Sequence, residues 1–280
     1  MLRTQSPIRP LTTADRDQAL EVCARDPRTN VFVAARILEG ALATSPGALL
    51  GYADGSGLQA ICWASANLVP VGWDLQALDA FAVKLDRWRR HCSSLFGPAD
   101  MVLPLWADLR PSWGRPREVR KHQPVLATAG PPAPGASFDP EVRRARFDEV
   151  DKVTPAAAAM FTEEIGYPPY TGSGQVYRQS VAALIRVGHT FVRVVDGEVT
   201  FKADVGSVAL GVAQIQGVWV APRWRGKGLA APAMASVVEL VRAEIAPVVT
   251  LYVNDFNVPA RATYARVGFT EIGRFATVLM

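Results

Sequence analysis

A proline-rich break is the strongest constraint on how this chain folds. Residues 129–140 read AGPPAPGASFDP and hold four prolines and two glycines. Proline fixes φ and lacks a backbone N–H, so neither a helical nor a strand pattern continues through this stretch. The full 280 residues are about twice the length of a usual domain. We therefore predict a first domain over residues 1–128, a linker over 129–140 and a second domain over 141–280.

The composition narrows the class of protein. Hydrophobic residues make up 49% of the chain and charged residues 20%, which excludes a disordered or collagen-like chain. No apolar run reaches the ~18 to 20 residues of a membrane-spanning helix, so we expect no membrane partner. Residues 1–10 lack the apolar core of a secretion signal. These features favour a cytoplasmic protein.

The metal-binding and disulfide-forming residues are few. The cysteines are odd in number, far apart and in no CxxC pair, and they are accompanied by three histidines, so we predict neither a disulfide framework nor a metal site. The residues concerned are Cys23, Cys62, Cys92, His91, His122 and His189. The net charge of +4 suits an anionic small ligand as readily as a nucleic acid.

Alternating apolar and polar residues in the second half predict a mostly antiparallel sheet interrupted by helices. The dipeptide Asp196-Gly197 separates two of the runs and is typical of a tight hairpin. The class is therefore α+β, or mixed α/β. The predicted elements are a helix around Pro155–Glu164, strands at His189–Val195, Glu198–Val205 and Val212–Val220, a helix at about Leu229–Ile245, a strand at Val248–Val253 and a strand at Thr270–Leu279.

A glycine-containing loop between a strand and a helix predicts an anion site. Such a loop directs backbone N–H groups and the positive end of the helix dipole at one point. Gly226 and Gly228 allow the backbone to approach a ligand closely. The side chains of Arg223, Arg225 and Lys227 add positive charge. A tight turn with a solvated basic rim is the alternative interpretation of the same residues.

Two signatures in this half carry a family resemblance. Val218 to Ala230 reads V-x-V-x-P-x-x-R-G-K-G-L-A, which resembles the acyl-CoA signature Arg/Gln-x-x-Gly-x-Gly/Ala of the GNAT N-acetyltransferase superfamily. About 25 residues later, Leu251 to Phe269 is similar to the second signature of that superfamily. The resemblance covers residues 141–280. It implies an acyl-CoA-dependent N-acyltransferase that uses acetyl-CoA, or another short acyl-CoA, as co-substrate without a metal.

The resemblance also implies which residues bind the co-substrate. The strand bearing Val218 would separate from its neighbour, and its free backbone groups would pair with the pantetheine amides. The backbone N–H groups of the loop would hold the pyrophosphate. Asn257 would contact the pantetheine or cap the next helix. The full set of expected contacts is Val218, Trp219, Val220, Arg223, Arg225, Gly226, Lys227, Gly228, Leu229, Ala230, Asn254, Asn257, Ala260 and Tyr264.

For catalysis, the resemblance implies Tyr264 as the general acid that protonates the departing thiolate. The alternative is a tyrosine that only packs against the sheet. Many family members place a carboxylate on the strand before the loop, where this chain has Gln214 and Gln216 instead. The remaining candidates for the base are Glu163, Glu164 and Asp204, each of which is otherwise a helix-end or surface carboxylate.

The expected acceptor is a primary amine on a small molecule, peptide or protein. All three cysteines precede the second domain, so direct attack in a ternary complex is the default mechanism. The loop Tyr167–Tyr170 is either an acceptor wall or a contact with the first domain. Two alternatives remain open: a non-catalytic acyl-CoA sensor, and an RNA- or ribosome-associated acetyltransferase with basic segments at Arg87–His91 and Arg143–Arg146. The modest net charge disfavours nucleic acid.

The first half repeats the order of helices and strands but lacks the anion loop. At the equivalent place, Ser93–Asp100 has one glycine, an acid and no arginine, so we expect no pyrophosphate binding there. We therefore expect a degenerate domain of the same architecture, giving tandem GNAT-like domains, each a mostly antiparallel twisted sheet flanked by helices. The whole chain is similar to actinobacterial GNAT proteins with an N-terminal domain of unknown function, and its layout is similar to that of mycothiol synthase.

Overall fold

The computed structural model describes residues 7–72, 74–130 and 132–280. Residues 1–6, which belong to the stretch searched for a secretion signal, and Pro131 of the predicted linker lie outside the described residues. By its internal contacts the chain forms two units. The first contains the chain up to Leu126 together with Tyr252–Phe256 and Glu271–Met280. The second contains Ala127–Leu251 and Asn257–Thr270.

The elements are numbered in chain order. The strands are β1 (Ile8–Pro10), β2 (Leu49–Asp54), β3 (Gly57–Ala64), β4 (Asn67–Val71), β5 (Ser94–Pro98), β6 (Glu118–Thr128), β7 (Arg143–Arg144), β8 (Thr190–Val195), β9 (Glu198–Ala209), β10 (Val212–Val220), β11 (Val248–Tyr252) and β12 (Thr270–Leu279). The helices are α1 (Arg16–Ala24), α2 (Pro27–Leu38), α3 (Ala41–Thr44), α4 (Leu75–Leu85), α5 (Ala99–Trp113), α6 (Val150–Ile165), α7 (Gln175–Arg186), α8 (Ala230–Glu244) and α9 (Val258–Val267).

The first unit is a mostly antiparallel sheet in the order β1-β2-β3-β4-β5-β12-β6, in which β4 and β5 run parallel. Helix α4 begins at Leu75, where the carboxylate of Asp74 accepts hydrogen bonds from the backbone N–H groups of Gln76 and Ala77. Its buried apolar residues, Phe81 among them, pack into a core that also takes in Leu105 and Val278. Strand β5 passes directly into α5, with Asp100 in the first turn, so no glycine loop separates them.

The second unit is a sheet in the order β11-β10-β9-β8-β7, and its only parallel pair among the described strands is β10 with β11. Helices α6 and α7 pack a core onto one face, with Val153, Val181 and Val192 at its centre. The predicted hairpin between β8 and β9 is present, and Asp196 has the positive φ of 51° that such a turn requires. The mixed α/β class is confirmed in both units.

Two predicted boundaries were wrong. Helix α6 begins at Val150 rather than near Pro155. Pro155 removes the backbone donor to the carbonyl of Asp151, but the helix continues through it because apolar residues before and after the proline, including Val153 and Ala156, are buried in one core. Strand β9 continues to Ala209 instead of ending at Val205, because its second half pairs with the start of β10.

The proline-rich segment has no helix or strand among its described residues, in keeping with its composition. It is nevertheless held to helix α8. The guanidinium of Arg242 donates to the carbonyls of Ala129 and Gly130, and Ser236 exchanges hydrogen bonds with the backbone of Asp139, each of 2.9 Å. These bonds make the segment part of the second unit.

Within the described part of the chain, no helix is both long enough and apolar enough to cross a bilayer. No group of three or more His, Cys, Asp or Glu side chains there is arranged to hold a metal ion. All three cysteines are reduced and buried in the first unit, and burial raises the pKa of each thiol.

Candidate functional site

The glycine loop and the start of α8 form an anion cradle, which we define as residues 222–230. Gly226 and Gly228 have φ values of 73° and 78°, a region that residues with a Cβ rarely adopt. No described side chain caps α8, and its first turn contains no acidic residue. The first backbone N–H groups of a 15-residue helix therefore lack the usual side-chain partner. This arrangement suits a phosphate or pyrophosphate.

The three cations of the cradle have different partners. Arg223 forms an ion pair with Glu198. Arg225 forms one with Glu163, at 2.7 Å. Lys227 lies over the ring of Trp224, 5.3 Å from its centroid, and has no carboxylate partner among the described residues. Lys227 is thus the cation that an incoming anion meets without a competing carboxylate.

Strand β10 has an open edge beside the cradle. It pairs with β11 only from Val212 to Gln214. From Ile215 to Val220 it pairs with β9 alone, on its other edge. Beyond Gln214 the backbone has no strand partner among the described residues on the side where β11 has diverged, although the carbonyls of Gly217 and Val220 accept side-chain hydrogen bonds from Lys202 and Arg225. This is the separation that the family resemblance implied.

Beneath this edge lies a buried ion pair. Lys202 and Asp204 project from the same face of β9, since they are two residues apart, and both are buried. The ammonium of Lys202 bonds to Oδ2 of Asp204 and also donates to the carbonyl of Gly217, at 3.3 Å. Oδ1 of Asp204 is buried and has no hydrogen-bond partner among the described residues.

The two adjacent glutamates at the end of α6 differ in their surroundings. Glu163 is half-exposed, and besides its pair with Arg225 it accepts a hydrogen bond from the indole N–H of Trp219, at 3.3 Å. Burial raises the pKa of the Tyr264 phenol well above its usual value, and the negative charge of Glu164 raises it further. The fold thus brings Glu164 into electrostatic range of Tyr264, 100 positions further along the chain.

Tyr264 lies on α9 and is buried, with its ring edge-on to Phe269 at 5.8 Å between centroids. No hydrogen bond to its hydroxyl occurs among the described residues. The raised pKa keeps the phenol protonated at every pH near neutral. Tyr264 therefore offers a proton that the protein itself does not use.

The two predicted asparagines are in different units. Asn257 caps α9, and its side-chain oxygen accepts the backbone N–H of Ala260 at 3.2 Å. Asn254 belongs to the first unit, where its side-chain oxygen accepts a hydrogen bond from Gln123, at 2.9 Å.

Aromatic residues follow α6 in the loop predicted as an acceptor wall or a contact with the first domain. Tyr167 packs edge-on against Phe161, and Tyr170 lies 5.6 Å from Tyr177. Burial raises the pKa of Tyr177 to about 12, and the charges of Asp204 and Tyr170 contribute. Tyr177 is therefore within electrostatic range of the Asp204 carboxylate.

Lys202 and Trp219 have side-chain contacts at the candidate site that the sequence does not predict. In the run V-T-F-K-A-D-V, Lys202 shares a strand face with Thr200 and Asp204, a pattern typical of a solvated face, and only the structure shows that this face is buried. Trp219 was predicted as a contact of the co-substrate, and its indole N–H also donates to the carboxylate of Glu163.

The basic segment at Arg143–Arg146 is largely neutralised. Arg143 and Arg146 both bond to Glu149, and Arg144 forms an ion pair with Glu244 at 2.9 Å. Guanidinium groups that are already paired with carboxylates contribute less to binding an RNA phosphate backbone.

Comparison with protein-family models gives two matches. Residues 47–153 match a domain of unknown function, DUF4081. Residues 174–269, which contain the cradle and Tyr264, match the acetyltransferase (GNAT) family. Residues 174–269 are a GNAT acetyltransferase domain. Both parts of the resemblance, the GNAT signatures and the N-terminal domain of unknown function, are confirmed.

Solved structures with the fold of the whole chain include other GNAT proteins. A GCN5-related N-acetyltransferase from Sphaerobacter thermophilus has a TM-score of 0.63 and 16% identity, and the match covers 97% of this chain and 94% of that one. A GNAT-family acetyltransferase from Colwellia psychrerythraea has a TM-score of 0.58 and 14% identity, with 98% and 99% covered.

A tandem GNAT protein from the clavulanic acid biosynthesis pathway has a TM-score of 0.56 and 17% identity, and the match covers 96% of this chain and 97% of that one. At these identities the likeness shows the fold alone. None of the curated proteins compared with this chain is significantly similar in sequence.

Proposed function

We propose that the GNAT domain transfers an acetyl group from acetyl-CoA to a primary amine by direct attack within a ternary complex. The observation that carries the proposal is the open edge of β10, which leads directly into an anion cradle whose helix has no described side-chain cap. Backbone donors along one strand edge suit the amides of pantetheine. The cradle at the end of that edge suits the pyrophosphate of the same molecule.

In the proposed reaction the amine nitrogen attacks the thioester carbon, and the carbon–sulfur bond then breaks. The electron pair leaves with the sulfur as a thiolate, which takes the proton of the Tyr264 hydroxyl. An alkyl thiol has a pKa of about 8.5, so a phenol with a raised pKa transfers its proton only within a well-aligned hydrogen bond. The tyrosine regains its proton from solvent.

The amine must lose a proton before or during the attack. We assign this proton to Glu164, because the charge of its exposed carboxylate reaches Tyr264 at the reacting centre. An α-amine with a pKa near 7.8 costs only about 1 kcal/mol to neutralise at pH 7, whereas a lysine amine costs about 4.6 kcal/mol. An exposed carboxylate is a weak base, which favours an acceptor with an α-amine over one with a lysine amine.

The deciding experiment is mass spectrometry of cell extract incubated with the protein and isotope-labelled acetyl-CoA, which reports activity and acceptor together.

Tyr264→Phe should lower the rate of CoA release at least about 100-fold, since a positioned general acid contributes 10²–10⁴-fold. Tyr52→Phe is the matched control, because Tyr52 is as buried as Tyr264 but lies in the first unit. Unchanged release by Tyr264→Phe would remove the role assigned to Tyr264.

A non-catalytic acyl-CoA sensor is the second candidate. It is favoured by Gln214 and Gln216, which stand on β10 where many GNAT enzymes carry an acid. A sensor binds acetyl-CoA with equal affinity in the wild type and in Glu164→Gln, and neither protein releases CoA above the uncatalysed rate. An enzyme loses CoA release in Glu164→Gln while it keeps its affinity for acetyl-CoA.

A further inference from the structure

A lysine is fully buried beneath strand β10. The side chain of Lys202 is 1% exposed, and its ammonium has two partners, Oδ2 of Asp204 and the carbonyl oxygen of Gly217. A buried ammonium is costly unless it is paired and hydrogen-bonded. The proposed reaction does not use this pair, so its cost calls for another explanation.

The pair lies directly beneath an irregularity in strand β10. Gln216 is opposite Asp204 and Trp219 is opposite Lys202, so Gly217 and Val218 together face the single residue between them on β9. Two residues opposite one define a β-bulge. A bulge bends the strand and changes the direction of its backbone groups, and here it falls within the open edge of β10.

The bulge and the ion pair fit each other closely. Gly217 has a φ of 60°, and a Cβ at this position would come within 3.1 Å of both Oδ2 of Asp204 and Nζ of Lys202. The ion pair therefore fills the space that a side chain would need. The left-handed conformation and the missing side chain both require glycine here.

The orientation of one peptide plane follows from these contacts. The carbonyl of Gly217 and the N–H of Val218 belong to the same peptide group, which is planar and trans, so they point in opposite directions. Because Lys202 holds the carbonyl towards the buried pair, the N–H of Val218 is directed away from it.

We propose that Lys202 is a positioning residue of the donor site: it fixes the Gly217–Val218 peptide so that the Val218 N–H faces the pantetheine arm of the acyl-CoA. Asp204 balances the charge of the lysine and orients it. This assignment rests on the proposed function, and it gives Asp204 a supporting role rather than that of a base.

The test removes the pair without leaving a buried charge. Replacing a buried ion pair by apolar residues of similar size is often neutral or stabilising, so Lys202→Met combined with Asp204→Leu should fold with a melting temperature near that of the wild type. Isothermal titration calorimetry then compares two probes: CoA, and adenosine 3′,5′-bisphosphate, which lacks the pantetheine arm.

In the double variant we expect CoA to bind about tenfold more weakly, the loss expected for one hydrogen bond, while the bisphosphate binds as in the wild type. A matched control is Arg143→Met combined with Glu149→Gln, which removes an ion pair at the entry of α6 and should leave the affinity for both probes unchanged.

Wild-type affinity for CoA in a folded double variant would overturn the inference alone. Equal weakening of both probes would also overturn it, because it would indicate a general rather than a local role. If the wild type bound no CoA at all, this result would contradict both the proposed function and this inference.

Discussion

The side chain of Arg225 holds the carboxylate of Glu163 through one nitrogen, Nη2, which lies 3.0 Å from Oε1 and 2.7 Å from Oε2. The Nε atom of the same guanidinium donates to the carbonyl of Val220, at 2.9 Å. A cradle arginine is thereby tied to the end of α6 and to the strand that carries the open edge. An anion that enters the cradle competes with Glu163 for this guanidinium.

We expect Glu163→Gln to tighten CoA binding several-fold. The substitution removes the negative charge that competes for Arg225, while the amide keeps the size of the side chain. A charge-assisted hydrogen bond contributes about 1.5 to 3 kcal/mol, which sets the scale of the competition. The dissociation constant for CoA, measured by calorimetry, reports the effect.

The matched control for this prediction is Glu198→Gln, which removes the partner of Arg223 in the same loop. Both substitutions reduce the negative charge near the cradle by one unit, so the control measures the general electrostatic gain. Equal gains in the two variants would contradict a specific competition at Arg225.

Lys227 should dominate the charge contribution of the cradle. Lys227→Met is expected to weaken CoA binding about tenfold and to flatten its dependence on sodium chloride, because no carboxylate among the described residues competes with a phosphate for the exposed ammonium of Lys227. Arg223→Met should have a smaller effect, since that arginine already has a carboxylate partner. Titrations at two salt concentrations check both expectations, and a larger loss in Arg223→Met than in Lys227→Met would contradict them.

The buried carboxylate of Glu149 should make stability depend on acid pH. The Arg143 guanidinium bonds to it and lowers the pKa of Glu149 to about 2. A carboxyl with a lowered pKa in the folded state stabilises the protein at pH values above its ordinary pKa of 4.5. This contribution is lost as the pH falls from about 4.5 to 2, and its full size is about 3 kcal/mol.

Glu149→Gln should therefore lower the melting temperature at pH 7 and reduce its decline between about pH 4.5 and 2. Asp151→Asn is the control, because Asp151 is an exposed carboxylate in the first turn of α6, two residues after Glu149. Calorimetric scans across this pH range make the comparison. Parallel curves for the wild type and Glu149→Gln would contradict the prediction.

The three cysteines should be inert in the folded protein. Burial raises the pKa of Cys92 to about 11 and that of Cys23 to about 12, so almost no thiolate is present at neutral pH. We expect Ellman's reagent to label none of the three thiols until denaturant is added. Rapid labelling of the native protein would show that one thiol is accessible, and would complicate thiol-release assays with this reagent.

The sequence predicts the elements of the anion cradle better than the partners of its side chains. Gly226 and Gly228 mark the loop because only their backbone freedom suits it, and strand β10 has the predicted bounds, Val212–Val220. The pairing of Arg225 with Glu163 joins residues far apart in the chain. No local spacing encodes such a contact, so only the folded sheet reveals it.

The same reason explains why the sequence indicates only half of the ion pair between Lys202 and Asp204. Asp204 stands out as an acid near the site, but its partner and its burial depend on α6 covering that face of β9. The predicted start of α6 is wrong for a related reason, because Pro155 suggests a helix start while the packing of Val150 and Val153 extends the helix backwards.

Strand β12 pairs with β5, so that Val278 lies opposite Leu95 in the first unit, and its buried side chains complete the core of that unit. During synthesis the sheet of the first unit therefore stays incomplete between β5 and β6 until the residues of β12 have left the ribosome. Such distant pairing slows folding and leaves strand edges exposed meanwhile. A fragment cut at the proline-rich break would lack this strand permanently, and we expect it to aggregate rather than fold.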